Sequence, residues 1–145
     1  MYPTDEETSF WINLNRAQMS LHRKVDLDLK AAGLPPLRWY DVMWALERAD
    51  TCGVRPYELV TSLIFEQSNL SRLLRRLVDE GLAEQMAFDG DRRGKVMRIT
   101  AKGQQVRKEM WKIYGPILHA SLAGASDTAD FRDFTETLKA MIART

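Results

Sequence analysis

The sequence predicts a mainly α-helical (α+β) fold with a single β-hairpin, and three observations predict it. Apolar residues recur at helical spacing along most of the chain. Between Leu82 and Ile99 that period gives way to two short β-compatible runs around a glycine-bearing turn. Positive charge gathers in the stretch that holds both the clearest helix and this hairpin. With 145 residues, 45% of them hydrophobic, the chain is the size of one ordinary domain and long enough to bury a core.

Thr4 and Glu7 have the spacing of a capping box. Phe10, Trp11, Leu14, Ala17 and Leu21 then form an apolar stripe, and Gly33 before Pro35-Pro36 ends this long first helix. Pro36 or Leu37 opens a second helix through Trp39, Tyr40, Met43, Trp44 and Leu46, ending between Asp50 and Gly53. Arg55-Pro56 starts a short third, with Leu59, Val60 and Leu63 facing inward. Residues 67–80 form the best-defined helix, closed by Gly81 where a left-handed residue is wanted. Two strands follow, 82–88 and 95–99, separated by residues 89–94 with the turn pair Asp89-Gly90. Thr100 caps a further long helix, which Gly115-Pro116 is expected to bend or break. A last helix starts at Ser126-Asp127-Thr128 and carries Phe131, Phe134, Leu138 and Met141.

The net charge of +1 hides an asymmetry. From Ser68 to Lys108 there are ten Lys/Arg against five acids, while the rest of the chain has eleven against fifteen. A region that faces an anion produces this distribution, and so does a solvated charged surface. At about 100° per residue, Leu70, Leu73, Leu74 and Leu77 share one arc of their helix, and Ser68, Ser71, Arg72, Arg75, Arg76 and Asp79 oppose them. Alone, that pattern also describes any amphipathic surface helix. The order short helix, defined helix, basic hairpin is what a winged helix-turn-helix requires, with the second helix in the DNA major groove and the hairpin reaching the neighbouring backbone. Arg92, Arg93 and Lys95 give the hairpin the charge for that contact.

The run Ser68-Asn69-Leu70-Ser71-Arg72-Leu73-Leu74-Arg75-Arg76-Leu77-Val78-Asp79-Glu80-Gly81-Leu82, followed by Asp91-Arg92-Arg93-Gly94-Lys95 and by Ile99-Thr100-Ala101-Lys102-Gly103, resembles the multiple antibiotic resistance regulator (MarR) family. A recognition helix ending in Gly-Leu, a wing with Asp-x-Arg and a Thr-x-x-Gly exit are all present at matching spacing. The resemblance implies a sequence-specific DNA-binding transcriptional regulator, a repressor, bound as a homodimer to a pseudo-palindromic operator. It implies that residues 36–103 read DNA and that residues 1–35 and 104–145 form the dimer. It also implies that Ser68, Asn69, Ser71 and Arg72 meet the major groove, that Arg75 or Arg76 holds phosphates, that Arg93 probes the minor groove, and that Asp91 orients the wing. Phe10, Trp11, Phe131 and Phe134 are a large apolar load for the ends of a small chain, which fits a two-fold interface or packing within one chain.

Members of this family often bind small aromatic or phenolic acids. Here the corresponding crevice would lie among the first, second and fifth helices, with Trp11, His22, Trp39, Met43 and Trp111 as candidates. The same residue types at helical spacing also serve simply as core. No nucleophile or acid-base constellation appears, so the chain is read as no enzyme and without cofactor. The single Cys52 and two distant histidines supply no metal site. An acidic start and the lack of a long apolar run place the protein in the cytoplasm, away from membranes. The rival reading is a winged-helix module that binds protein and not specific DNA.

Overall fold

The computed structural model describes residues 1–49, 51–88 and 91–144, and for Phe88 and Asp91, Arg92 and Arg93 the backbone only. Among the described residues, six helices and one antiparallel pair of strands follow one another as α1 (Asp5–Ala31), α2 (Leu37–Arg48), α3 (Pro56–Leu59), α4 (Leu70–Asp79), β1 (Ala83–Phe88), β2 (Asp91–Ile99), α5 (Ala101–Leu122) and α6 (Ala129–Arg144), with a 3₁₀ turn Val60–Ser62 after α3.

The helix ends form as their residues require. The Thr4 hydroxyl accepts from the Glu7 amide while the Glu7 carboxylate accepts from the Thr4 amide, so two orphan donors at the start of α1 are satisfied reciprocally. Gly33 at φ +70° lets the chain reverse, and Leu34 N–H then bonds back to the Leu29 carbonyl. Gly81, also at φ +70°, closes α4 in the same way, with Leu82 N–H bonded to the Leu77 carbonyl at 2.8 Å. Leu77 and Leu82 are both buried, so this turn is fastened to the core as well as bonded.

The core lies between α2, α4, the hairpin and α5, with Val42, Met43, Leu59, Leu77 and Met110 fully or almost fully enclosed. From α1 only Val25 and Leu29 are buried, both in its C-terminal part, and α6 buries none of its residues. The expected stripe of α1 is therefore shallower than its pattern: Phe10, Leu14 and Leu21 are half-buried, and Trp11 and Ala17 are exposed.

Four expectations change. The 67–80 helix begins at Leu70, because Asn69 has a non-helical backbone (φ −145°, ψ 56°) and its side chain makes no capping bond. Gln67 and Ser68 consequently belong to the approach, ahead of the helix. The second strand starts at Asp91 and not at Lys95, since Phe88 pairs with Asp91 and a register shift between Ala87 and Phe88 absorbs the difference. Asp89 and Gly90 lie outside the described residues. α5 runs unbroken through Pro116. Ile113, Tyr114 and Ile117 pack on the core from both sides of the proline, which outweighs its cost of about 3 kcal/mol. Finally, Val60 points to solvent where an inward position was expected, because the chain there has tightened into the 3₁₀ turn.

Sequence reading missed one strand contact. Val54 forms an isolated antiparallel bridge with Met97, exchanging both backbone hydrogen bonds (2.9 and 2.8 Å). It ties the loop after α2 to the hairpin. The preceding Gly53 sits at φ +89°, and a Cβ there would meet Val96 and the Met97 carbonyl at 3.0 to 3.1 Å.

Candidate nucleic-acid interface

Helix α4 splits by face as the spacing of its four leucines dictates. Leu74 and Leu77 are buried, Leu70 and Leu73 pack against the core, and Ser71, Arg72, Arg75 and Arg76 are exposed. Burial of the leucine face against β1 leaves the arginine face outward along its whole length.

Two depressions flank this outward face. One joins α4 to the hairpin, with Ser71 and Arg75 on one wall and Gln85 and Lys95 on the other. The other lies at the start of the helix, where Ser68, Asn69, Arg72 and Arg76 face Arg38 and Trp39 of α2. The exposed helix is thus bordered by cations on both sides. Of the ten residues expected to touch DNA, Ser68, Asn69, Ser71, Arg72, Arg75, Arg76 and Lys95 lie on this continuous surface. Asp91, Arg92 and Arg93 are placed on strand β2 by their backbone, and their side chains lie outside the described residues.

The hairpin is held at a fixed angle to α4 by one threonine. Thr100 Oγ1 donates to the Gly81 carbonyl (2.7 Å) and accepts from Gly103 N–H (3.0 Å), while its amide donates to the Leu82 carbonyl (3.1 Å). The end of α4, the end of β2 and the start of α5 therefore meet at one side chain. Gly103 is buried there, and a Cβ on it would collide with the Leu82 carbonyl. These bonds give the Gly-Leu and Thr-x-x-Gly motifs a physical reason. Across the hairpin, Arg98 donates to Glu84 directly opposite it at 2.8 Å, which fixes register and removes Arg98 from the free cations.

Arg38 went unnoticed in the sequence. It donates to the Glu66 carbonyl and lines the depression at the helix start. One arginine at the beginning of α2 carries no local sign of this, because the proximity is made by folding over a separation of 28 residues.

The five aromatic-acid candidates are spread apart. Met43 is fully buried in the core. Trp111 is 45% exposed and stacks on Tyr40 with ring centroids 6.0 Å apart. Trp11 stands 59% exposed on α1. His22 pairs with Asp26 at 3.2 Å and meets the Phe65 ring edge-on at 4.7 Å, lining a depression with Arg23, Lys30 and Arg38. Trp39 lines the neighbouring depression at the start of α4. Behind Tyr40, Arg107 of α5 pairs with Glu47 of α2. Burial pushes the Tyr40 hydroxyl above its ordinary pKa against the pull of Arg107, and burial raises Tyr114 too, with smaller contributions from Tyr40 and Asp41.

Among the described residues no helix is long and apolar enough to cross a membrane. A comparison with curated protein sequences returned no match. A family model described as MarR family matches residues 32–94. Among solved structures, the chain is similar to AbsC, a MarR family transcriptional regulator from Streptomyces coelicolor, at 19% identity and a TM-score of 0.84, over 99% of this chain and 97% of that one. It is similar to Sco3205 of the same organism, a MarR family regulator solved in complex with DNA, at 20% identity and a TM-score of 0.82, over 99% of this chain and 89% of that one. A MarR family regulator from Silicibacter pomeroyi is 25% identical with a TM-score of 0.72, over 90% of this chain and 86% of that one. The chain is thus similar to the MarR family in sequence over residues 32–94 and shares its fold from end to end.

Proposed function

We propose that this protein is a sequence-specific DNA-binding transcriptional regulator, and not an enzyme, acting in the cytoplasm as a homodimer on a pseudo-palindromic duplex. The observation that carries the reading is the outward face of α4, where Ser71, Arg72, Arg75 and Arg76 stand between Lys95 of the hairpin and Arg38 of α2. Serine and asparagine at the helix start are short enough to let it approach base edges, and arginines reach guanine bidentately or neutralise phosphates. Residues 36–103 are the reading part. Residues 1–35 and 104–145 are the pairing part, supported by the exposure of Trp11 (59%), Phe134 (41%) and Ile142 (75%).

Repression follows as the simplest use of such a site, since a bound dimer occludes a promoter. A small aromatic acid that changes the separation of the two reading parts would release it. His22 and Trp39 are the candidates best placed for such a ligand, because the two depressions they line share Arg38.

The test is titration of a fluorescent duplex with the protein at a series of salt concentrations. Neutralising roughly 6 to 10 phosphates makes the logarithm of the binding constant fall linearly with the logarithm of salt, with a slope of about −5 to −9. A winged module that binds protein alone would show neither specific duplex binding nor this slope.

A further inference from the structure

Asp41 is the one charged residue among the described residues that is completely buried. It sits on α2, yet both its oxygens serve a segment more than twenty residues away. Ile64 N–H donates to Oδ1 and Oδ2 (3.0 and 2.9 Å), and Phe65 N–H donates to Oδ2 (2.9 Å). Those two amides belong to residues 63–69, the stretch between the 3₁₀ turn and α4 that is neither helix nor strand. The Ile64 side chain is 57% exposed, so its backbone is tied inward while its side chain is not. Among the described residues no cation forms a salt bridge with Asp41.

A buried carboxylate without a counter-ion is costly, and stability alone would be served as well by an apolar residue of similar size. Its chemistry suits the other task. Two consecutive amides converge on one point, and an ionised carboxylate is acceptor-only at both oxygens, whereas Asn would turn a donor towards them. Arg38, one turn earlier on α2, holds the next residue by donating to the Glu66 carbonyl. Three successive residues of the approach, Ile64, Phe65 and Glu66, are thus fixed to a rigid helix just ahead of Ser68 and Asn69.

We propose that Asp41 is a positioning residue for DNA recognition: it sets the direction in which the chain enters α4 and so where Ser68, Asn69, Ser71 and Arg72 meet the bases. The proposal rests on the DNA-reading function above. It does not require Asp41 to touch DNA, and it separates specificity from attraction, since the exposed arginines that supply the salt-dependent term are untouched by the change.

The experiment compares the wild type with Asp41→Asn on two probes, a duplex selected by the wild type from a random pool and a scrambled duplex of equal length. Replacing one acceptor oxygen by an NH2 donor opposite these amides is expected to weaken binding to the selected duplex about tenfold, with scrambled-duplex affinity and salt slope unchanged. Amide exchange at Ile64 and Phe65 is expected to be slow in the wild type and fast in the variant. Equal weakening on both duplexes, an unchanged preference, or failure of Asp41→Asn to fold would assign Asp41 to general stability and overturn the proposal. Free-peptide exchange rates at Ile64 and Phe65 in the wild type would overturn it without any variant. If the wild type itself shows no preference between the duplexes, the DNA-reading function fails, and the exchange rates alone then decide whether the clamp exists.

Discussion

The winged part and the terminal helices of this protein solve the problem of burial differently. Between α2 and the middle of α5 the chain builds a core of its own, in which Val42, Met43, Leu77 and Met110 are fully enclosed. α6 and the first two thirds of α1 enclose nothing, although Phe10 and Phe134 touch edge-on at 5.8 Å. A large apolar surface left in water by one part of a small protein marks that part as incomplete alone. The proposed function uses this difference for two jobs: a reading part with its own core, and a pairing part that a second copy would complete.

The strongest way to break this contrast is to cut the winged core. Leu77→Ala, at a fully buried site between α4 and β1, is expected to cost about 2–5 kcal/mol in denaturant unfolding. A loss below about 1 kcal/mol would mean the core is looser than its burial. On the outward face of the same helix, Arg72→Ala is expected to leave the melting temperature unchanged and to cost about 1–3 kcal/mol in binding a selected duplex. Wild-type affinity would remove Arg72 from base reading. In the terminal region the expectation reverses. Ile142→Asp should leave unfolding of the winged part intact and weaken self-association at least about tenfold, measured by sedimentation equilibrium. An unchanged sedimentation profile would show that this face meets solvent.

Smaller effects sharpen the contrast at its joint. Thr100→Ala removes the shared cap between α4, β2 and α5, and is expected to cost about 1 kcal/mol in unfolding and to lower the protection of the Gly103 amide. Least of all is an alkaline effect. Tyr40 and Tyr114 titrate above the ordinary 10.0, so their contribution is complete below that pH and is lost as the pH rises through their raised values. Denaturation curves between about pH 8 and pH 11 should show stability falling at the upper end, and a rise there would reverse the sign.

Much of the fold was legible because local chemistry decided it. Thr4 with Glu7, Gly33, Gly81 and Thr100 act within a few residues of their own position, and each ends or starts a helix where expected. The leucine and arginine faces of α4 were legible for the same reason. What was not legible depends on contacts across the chain. Nothing near Val54 shows that it pairs with Met97, nothing near Asp41 or Arg38 shows that they hold residues 64–66, and Pro116 is accommodated only because its neighbours have a core to pack on. The start of α4 slipped from residue 67 to Leu70 on the same account, since the approach obeys α2 and not its own sequence.

Selection of bound duplexes from a random pool by the wild type tests the central claim most directly. Two facing copies of the α4 surface should enrich a pseudo-palindrome whose half-sites lie about one helical turn, roughly 10 base pairs, apart. A pool that returns no enriched sequence, or a single unpaired half-site, would contradict a dimer that reads DNA through α4.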